Sequence, residues 1–121
     1  MLIALFTILI LGGGGVLIGD IKEVRKEVKA VMEKSDEREA ALTTLKQMKK
    51  LTSQRDKNYK NFLKQFLATV SDHNYKISYL DQLWDDYAGA RLNFHNEFIE
   101  LRFELKKHIG REDWAKIFPP D

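Results

Sequence analysis

The chain has three histidines and no cysteine, so any metal site would have to be built from imidazole and carboxylate alone. His95 and His108 fall on one helical pattern about four turns apart, too far to share an ion. His108 with Glu104 one turn earlier, or His95 with Glu97, makes a weak site at best and needs ligands from a second chain. Packing or surface roles are the expectation for both, and His73 sits in a turn. Asp85 and Asp86 form a carboxylate pair, but neighbours on a helix point in different directions, which makes a solvated face and not an acid–base dyad. No phosphate loop, nucleophile elbow, zinc-protease helix or dinucleotide fingerprint occurs. Gly12 to Gly15 lies inside an apolar run and cannot cradle a phosphate. The residues point away from an enzyme, and no catalytic, cofactor, metal or small-molecule site is expected.

The informative charged residues are Asp56 and Arg91, because each interrupts an apolar pattern. Ile77, Leu80, Trp84, Tyr87, Arg91, Phe94, Phe98, Leu101, Leu105 and His108 follow a strict 3-4 alternation, the signature of a heptad seam. Upstream, the same template picks out Leu42, Leu45, Lys49, Thr52, Asp56, Tyr59, Leu63, Phe66 and Val70. Ser71-Asp72-His73-Asn74 between them is turn-prone. Two helices of similar length joined by a tight turn predict an antiparallel hairpin. Setting Val70 against Ile77 pairs Phe66 with Leu80, Leu63 with Trp84, Tyr59 with Tyr87, Thr52 with Phe94, Leu45 with Leu101 and Leu42 with Leu105. Asp56 then falls opposite Arg91. This predicts a partly buried ion pair that fixes register, the alternative being that both side chains reach out to solvent.

These elements hang from an unusual N-terminus. Met1 to Gly19 carries no charged side chain, and about 20 apolar residues are what a helix needs to cross hydrocarbon. A retained membrane anchor is the reading. A cleaved signal would want Lys or Arg before the run and a small-residue site after it, and a buried core helix would be weakened by Gly12 to Gly15. Gly15 to Gly19 spells a G-x-x-x-G, which permits close helix approach. Ile21, Val24, Val28 and Val31 then describe an amphipathic juxtamembrane helix, and Ser35 followed by Asp36 and Glu37 starts the next. The expected organisation is all-α: an anchor at 1–19, a juxtamembrane helix at 20–34, a hairpin domain at 35–118 with helices over about 36–72 and 75–109 and a short C-terminal helix, and a tail at 119–121. Gly110 is expected to cap the long helix, and Pro119-Pro120 to stop the short one.

A net charge of +2 from 20 basic and 18 acidic residues is an intermixed surface, which excludes nucleic acid as the expected partner. Lys22, Arg25, Lys26, Lys29 and Lys34 follow the apolar run, and the positive-inside rule sets such a domain in the cytoplasm. Trp114, Ile117 and Phe118 are expected to fold back on the open end of the hairpin, near Val28, Val31 and Leu42. Two helices bury little by themselves. Leu83, Leu92, Ile99 and Phe103 widen the apolar stripe of the second helix beyond its seam, so Leu92, Ile99 and Phe103 are the candidate contact face. The juxtamembrane helix, a second copy or a client protein could cover it.

The stretch from Leu101 to Phe118, LRFELKKHIGREDWAKIF, resembles the end of small helical envelope proteins of the Spy-like and heavy-metal-sensor-like periplasmic group. In these a long helix closes on a turn of the leucine–threonine–arginine–glutamate–x–tryptophan type. Here Ile109-Gly110 stands in place of leucine–threonine, and no LTxxQ-type motif occurs. The resemblance implies a helical hairpin, often dimeric, that acts as a chaperone or a metal or stress sensor. It also implies a periplasmic domain, and that side is the expectation against the charge rule; a structural single-span accessory subunit of a membrane complex is the other role a tethered hairpin of this kind could have. No site residue is carried over from it.

Overall fold

The computed structural model describes residues 16–119, with side chains from residue 19. Four helices follow one another: α1 (Val16–Val31), α2 (Asp36–Ser71), α3 (Ile77–His108) and α4 (Arg111–Ile117). Every regular element among the described residues is an α-helix, and α2 and α3 form the long antiparallel hairpin. The expected anchor lies outside the described residues except for Val16 to Gly19, which begin α1. Among the described residues no helix is long and apolar enough to cross a membrane.

The joints follow from local chemistry. Ser35, in extended backbone, accepts the Arg38 amide on its hydroxyl at 3.1 Å, and Asp36, Glu37 and Glu39 place negative charge in the first turn of α2. Asp72 closes the hairpin turn: its carboxylate accepts the Asn74 amide at 3.0 Å and its carbonyl the Tyr75 amide at 3.2 Å. Gly110 does not act as the expected left-handed cap. Its φ is −62°, and its carbonyl accepts the Trp114 amide at 2.8 Å to start α4. Ile109, extended and buried, ends α3 by drawing the chain back onto the core.

Only four residues join α1 to α2 and the two helices pack together, so they run antiparallel. At 1.5 Å per residue α1 is about 24 Å long and α2 about 54 Å. Val16 therefore lies alongside the middle of α2, and the hairpin runs on for about 30 Å beyond it. The molecule has two halves as a result. In the lower half Ile21, Val24 and Val28 of α1 and Met32 just after it pack with Ala41, Leu45 and Met48 of α2, Phe94, Phe98 and Leu105 of α3, and Ile109, Ile117 and Phe118 at the C-terminal end. Trp114 leans on this core, half-buried, with its ring 4.4 Å from that of Phe118. The upper half is two helices alone.

Candidate interaction surface

The α2 side of the seam decides what the upper half exposes. The expected stripe and the observed one share Leu45, Thr52, Tyr59 and Phe66. Between them α2 turns inward the residue three positions on, Met48, Arg55 and Phe62, and not the residue four on, Lys49, Asp56 and Leu63. The physical reason is desolvation. Burying Met48 and Phe62 gains apolar area, whereas burying Lys49 and Asp56 would strip water from two charges. The inward residues are themselves a 4-3 pattern, Ala41, Leu45, Met48, Thr52, Arg55, Tyr59, Phe62 and Phe66, carrying one charge where the expected stripe carried two. That difference was the available signal.

This rotation corrects the predicted ion pair. Asp56 sits 3.8 Å from Nη2 of its neighbour Arg55 and does not pair with Arg91, which is exposed. The charged seam residue is Arg55. Its side chain is 11% exposed, and its guanidinium lies 4.7 Å from the centroid of the Phe94 ring. Burial lowers the Arg55 pKa from its ordinary value and Arg91 adds to this, while Asp56 and Tyr87 oppose it. An arginine is tolerable there because its stem packs and its planar head stacks. A double-mutant cycle on Arg55 and Phe94 is expected to give a coupling of about 1 kcal/mol. The same cycle on Asp56 and Arg91 is expected to give under about 0.3 kcal/mol, since an exposed arginine with no close acid gains little. Chemical denaturation of the variants measures both, and the reverse order would restore the original pair.

Above Arg55 the seam is aromatic. Phe62 stacks on Tyr87 at 4.3 Å between ring centroids and meets Trp84 at 5.0 Å and Phe66 at 5.9 Å. Tyr59 lies 6.2 Å from Tyr87, the facing pair that the hairpin register calls for. Trp84 remains half exposed despite these contacts.

Because Phe62 and Phe66 fill the seam, the residues one position later are left outside. Leu63, Leu67 and Val70 form a second apolar stripe on α2, exposed, about 100° round the helix from the first. Ile77 and Tyr79, 70% and 68% exposed, leave further apolar surface bare near the tip with Tyr75 and Trp84, Tyr79 on the same face of α3 as Asp86. Most of the large exposed hydrophobic side chains of the described residues thus lie between Tyr59 and Trp84. The residues one position earlier are polar: Asn58, Asn61 and Gln65 border a groove with Asp86 and Ala90 of α3. On α2 the upper hairpin therefore has a polar side and an apolar side. Its edges also differ in sign. From Lys57 to Ser71 the exposed charges are Lys57, Lys60 and Lys64, and from Ile77 to Ala90 they are Asp81, Asp85 and Asp86.

Of the sequence-derived contact face, Leu92 and Phe103 are exposed and Ile99 is half-buried on the outer flank of lower α3. The larger apolar surface is higher up and includes Leu63, Val70, Ile77 and Trp84, which the seam had been expected to consume. Among the histidines, His73 is exposed in the turn and His95 is half-buried. His108 is a strut: Nδ1 faces Glu37 of α2 at 3.1 Å and Nε2 faces Glu104 at 3.2 Å. That arrangement engages both ring nitrogens with carboxylates, and among the described residues no group of three or more His, Asp or Glu is placed to hold a metal ion.

Compared with known protein families, curated proteins and solved structures, the chain matches none.

Proposed function

We propose that this chain is a membrane-tethered interaction module whose upper hairpin binds a helical partner, a second copy of the chain in the first instance. The carrying observation is the second apolar stripe, Leu63, Leu67 and Val70, on a two-helix element with one wet side. Two bare helices bury too little to stand well alone, and a stripe of this spacing suits a third or fourth helix. A second copy matches the edges as well. Its acidic α3 edge can face the basic α2 edge of the first hairpin, and the reverse holds by symmetry.

The tether is the uncharged stretch from Met1 to Gly19. Its geometry is constrained. The upper hairpin runs past Val16 on the side from which that stretch enters α1. A tether collinear with α1 would draw Lys57, Lys60, Asp81, Asp85 and their neighbours into hydrocarbon, at about 2.5 to 3.5 kcal/mol for each charge near the bilayer centre. The proposal therefore requires the chain to turn at or before Val16, where α1 begins, which leaves residues 1–15 for the tether and sets the hairpin along the membrane surface. On sidedness, the resemblance supports the envelope, and the five cations after the stretch support the cytoplasm. A reporter active only outside the cytoplasm, fused to Asp121, decides between them: activity assigns the envelope, and a stable but inactive fusion the cytoplasm.

The pairing is tested with the full chain in mild detergent. Light scattering after size exclusion is expected to give a dimer, and Leu67→Glu with Val70→Glu a monomer of unchanged helicity. A wild-type monomer would remove self-association. Suppression of client aggregation by that monomer, lost in the same variant, would then assign the stripe to a chaperone-like role.

A further inference from the structure

A groove of about 620 Å³ runs between α1 and α2, and its rim is basic. Lys22, Arg25, Lys26 and Lys29 line it from α1, and Lys46 and Lys49 from α2. Glu39 is the acid on its wall. Lys26 is drawn off to Glu23 at 3.6 Å, while among the described residues Lys22, Arg25, Lys29, Lys46 and Lys49 make no ion pair. The floor is apolar, built from Ile21, Leu42 and Leu45.

This arrangement is electrostatically uphill without a ligand. Lys22 and Lys26, and Arg25 and Lys29, are like charges one turn apart, which destabilise a helix, and α2 brings two further cations against them. The fold itself gathers these charges. α1 places its cations on the flank beside the apolar stripe of Ile21, Val24 and Val28, and the short α1–α2 connection turns Lys46 and Lys49 back to the level of the first turns of α1. The groove thus opens within two to three turns of Gly19, where the uncharged stretch ends.

We infer that this groove holds the headgroup of an anionic phospholipid. The cations take the phosphate and any further negative charge, and Ile21, Leu42 and Leu45 take the glycerol and the first methylenes. Juxtamembrane clusters of four to eight Lys and Arg have this affinity for anionic lipid surfaces. The chemistry disfavours nucleic acid: Glu23 and Glu27 of α1, Glu33 of the connection and Asp36 of α2 interrupt the basic surface, so it does not extend along a polymer. The inference rests on the tethered reading only for where the lipid comes from.

The full chain is incubated with phosphatidylcholine vesicles, alone, with added phosphatidylglycerol, or with millimolar inorganic phosphate. Each sample is floated and its lysines are footprinted by brief acetylation and mass spectrometry. Lys22, Lys29, Lys46 and Lys49 are expected to react about fivefold more slowly with phosphatidylglycerol present, while Lys106 and Lys116, exposed and outside both the groove and the upper hairpin, serve as references. Lys46→Glu with Lys49→Glu, both exposed, is expected to abolish the protection of Lys22 and Lys29 with flotation unchanged. Equal slowing of all lysines, or equal protection by inorganic phosphate, overturns the lipid site. Flotation on phosphatidylcholine without groove protection on phosphatidylglycerol removes the groove and keeps the tether. Failure to float on phosphatidylcholine, with groove protection on phosphatidylglycerol, removes the tether and keeps the groove.

Discussion

Leu105→Ala is expected to destabilise the protein by about 2 to 5 kcal/mol, read as a fall in the urea midpoint. Leu105 is 0% exposed and belongs to a core that draws on all four helices and on the Ile109 and Phe118 joints. Removing three heavy atoms there forfeits the transfer free energy and leaves a cavity that α1, α2 and α4 cannot all close at once. A domain of this size has only about 5 to 15 kcal/mol in total, so the variant sits near the edge of folding at room temperature. Leu92→Ala is the control. It removes the same side chain from a 60% exposed site on the same helix and is expected to change stability by under about 0.5 kcal/mol. Equal effects at the two positions would mean that the lower core is not where these contacts place it.

The contrast between those two leucines shows what periodicity can and cannot say. On α3 the 3-4 pattern was legible, because Phe94, Phe98 and Leu105 are large and apolar while the flanking positions are mostly polar. The same holds for Ile21, Val24 and Val28 on α1, for Ser35 as the start of α2, and for the Asp72 turn. On α2 the pattern was ambiguous. Leu45, Thr52, Tyr59 and Phe66 belong to two overlapping heptad frames, and upper α2 has apolar residues in both: Phe62 in one, Leu63 and Val70 in the other. Spacing alone does not choose between frames. The choice depends on what each would desolvate, and Lys49 and Asp56 weigh against the frame that a plain count of apolar ends had favoured. Gly110 failed as a cap for a similar reason, since the buried Ile109 before it supplies a stronger force than glycine's freedom at positive φ. The basic groove was half legible. The α1 cations were visible as a cluster, but Lys46 and Lys49 join them only through the α1–α2 fold-back.

Phe62→Ala is expected to open the upper hairpin while leaving the lower bundle closed. Phe62 is 9% exposed and holds Tyr87, Trp84 and Phe66 within 6 Å of its ring. Truncating a buried phenylalanine costs about 3 to 5 kcal/mol, part of which is the aromatic pairing itself, about 0.5 to 1.5 kcal/mol for each contact. The remaining upper seam, Tyr59, Phe66, Leu80 and Tyr87, is only partly buried and has no third helix to fall back on. The loss therefore exceeds what the two helices of this seam can absorb. Native-state hydrogen exchange is expected to show amides from about Tyr59 to Val70 and from Leu80 to Tyr87 losing protection together, while those of Leu45 to Thr52 and Leu101 to Leu105 keep theirs. Leu105→Ala should do the opposite, lowering protection everywhere, because the upper hairpin grows out of the lower core. Uniform loss in both variants would make the molecule one cooperative unit. Selective opening would also bear on binding. An upper half held by one aromatic cluster is stable enough to present Leu63, Leu67 and Val70, and it gains most from a partner that covers them, so dimerisation should restore much of the exchange protection that Phe62→Ala removes.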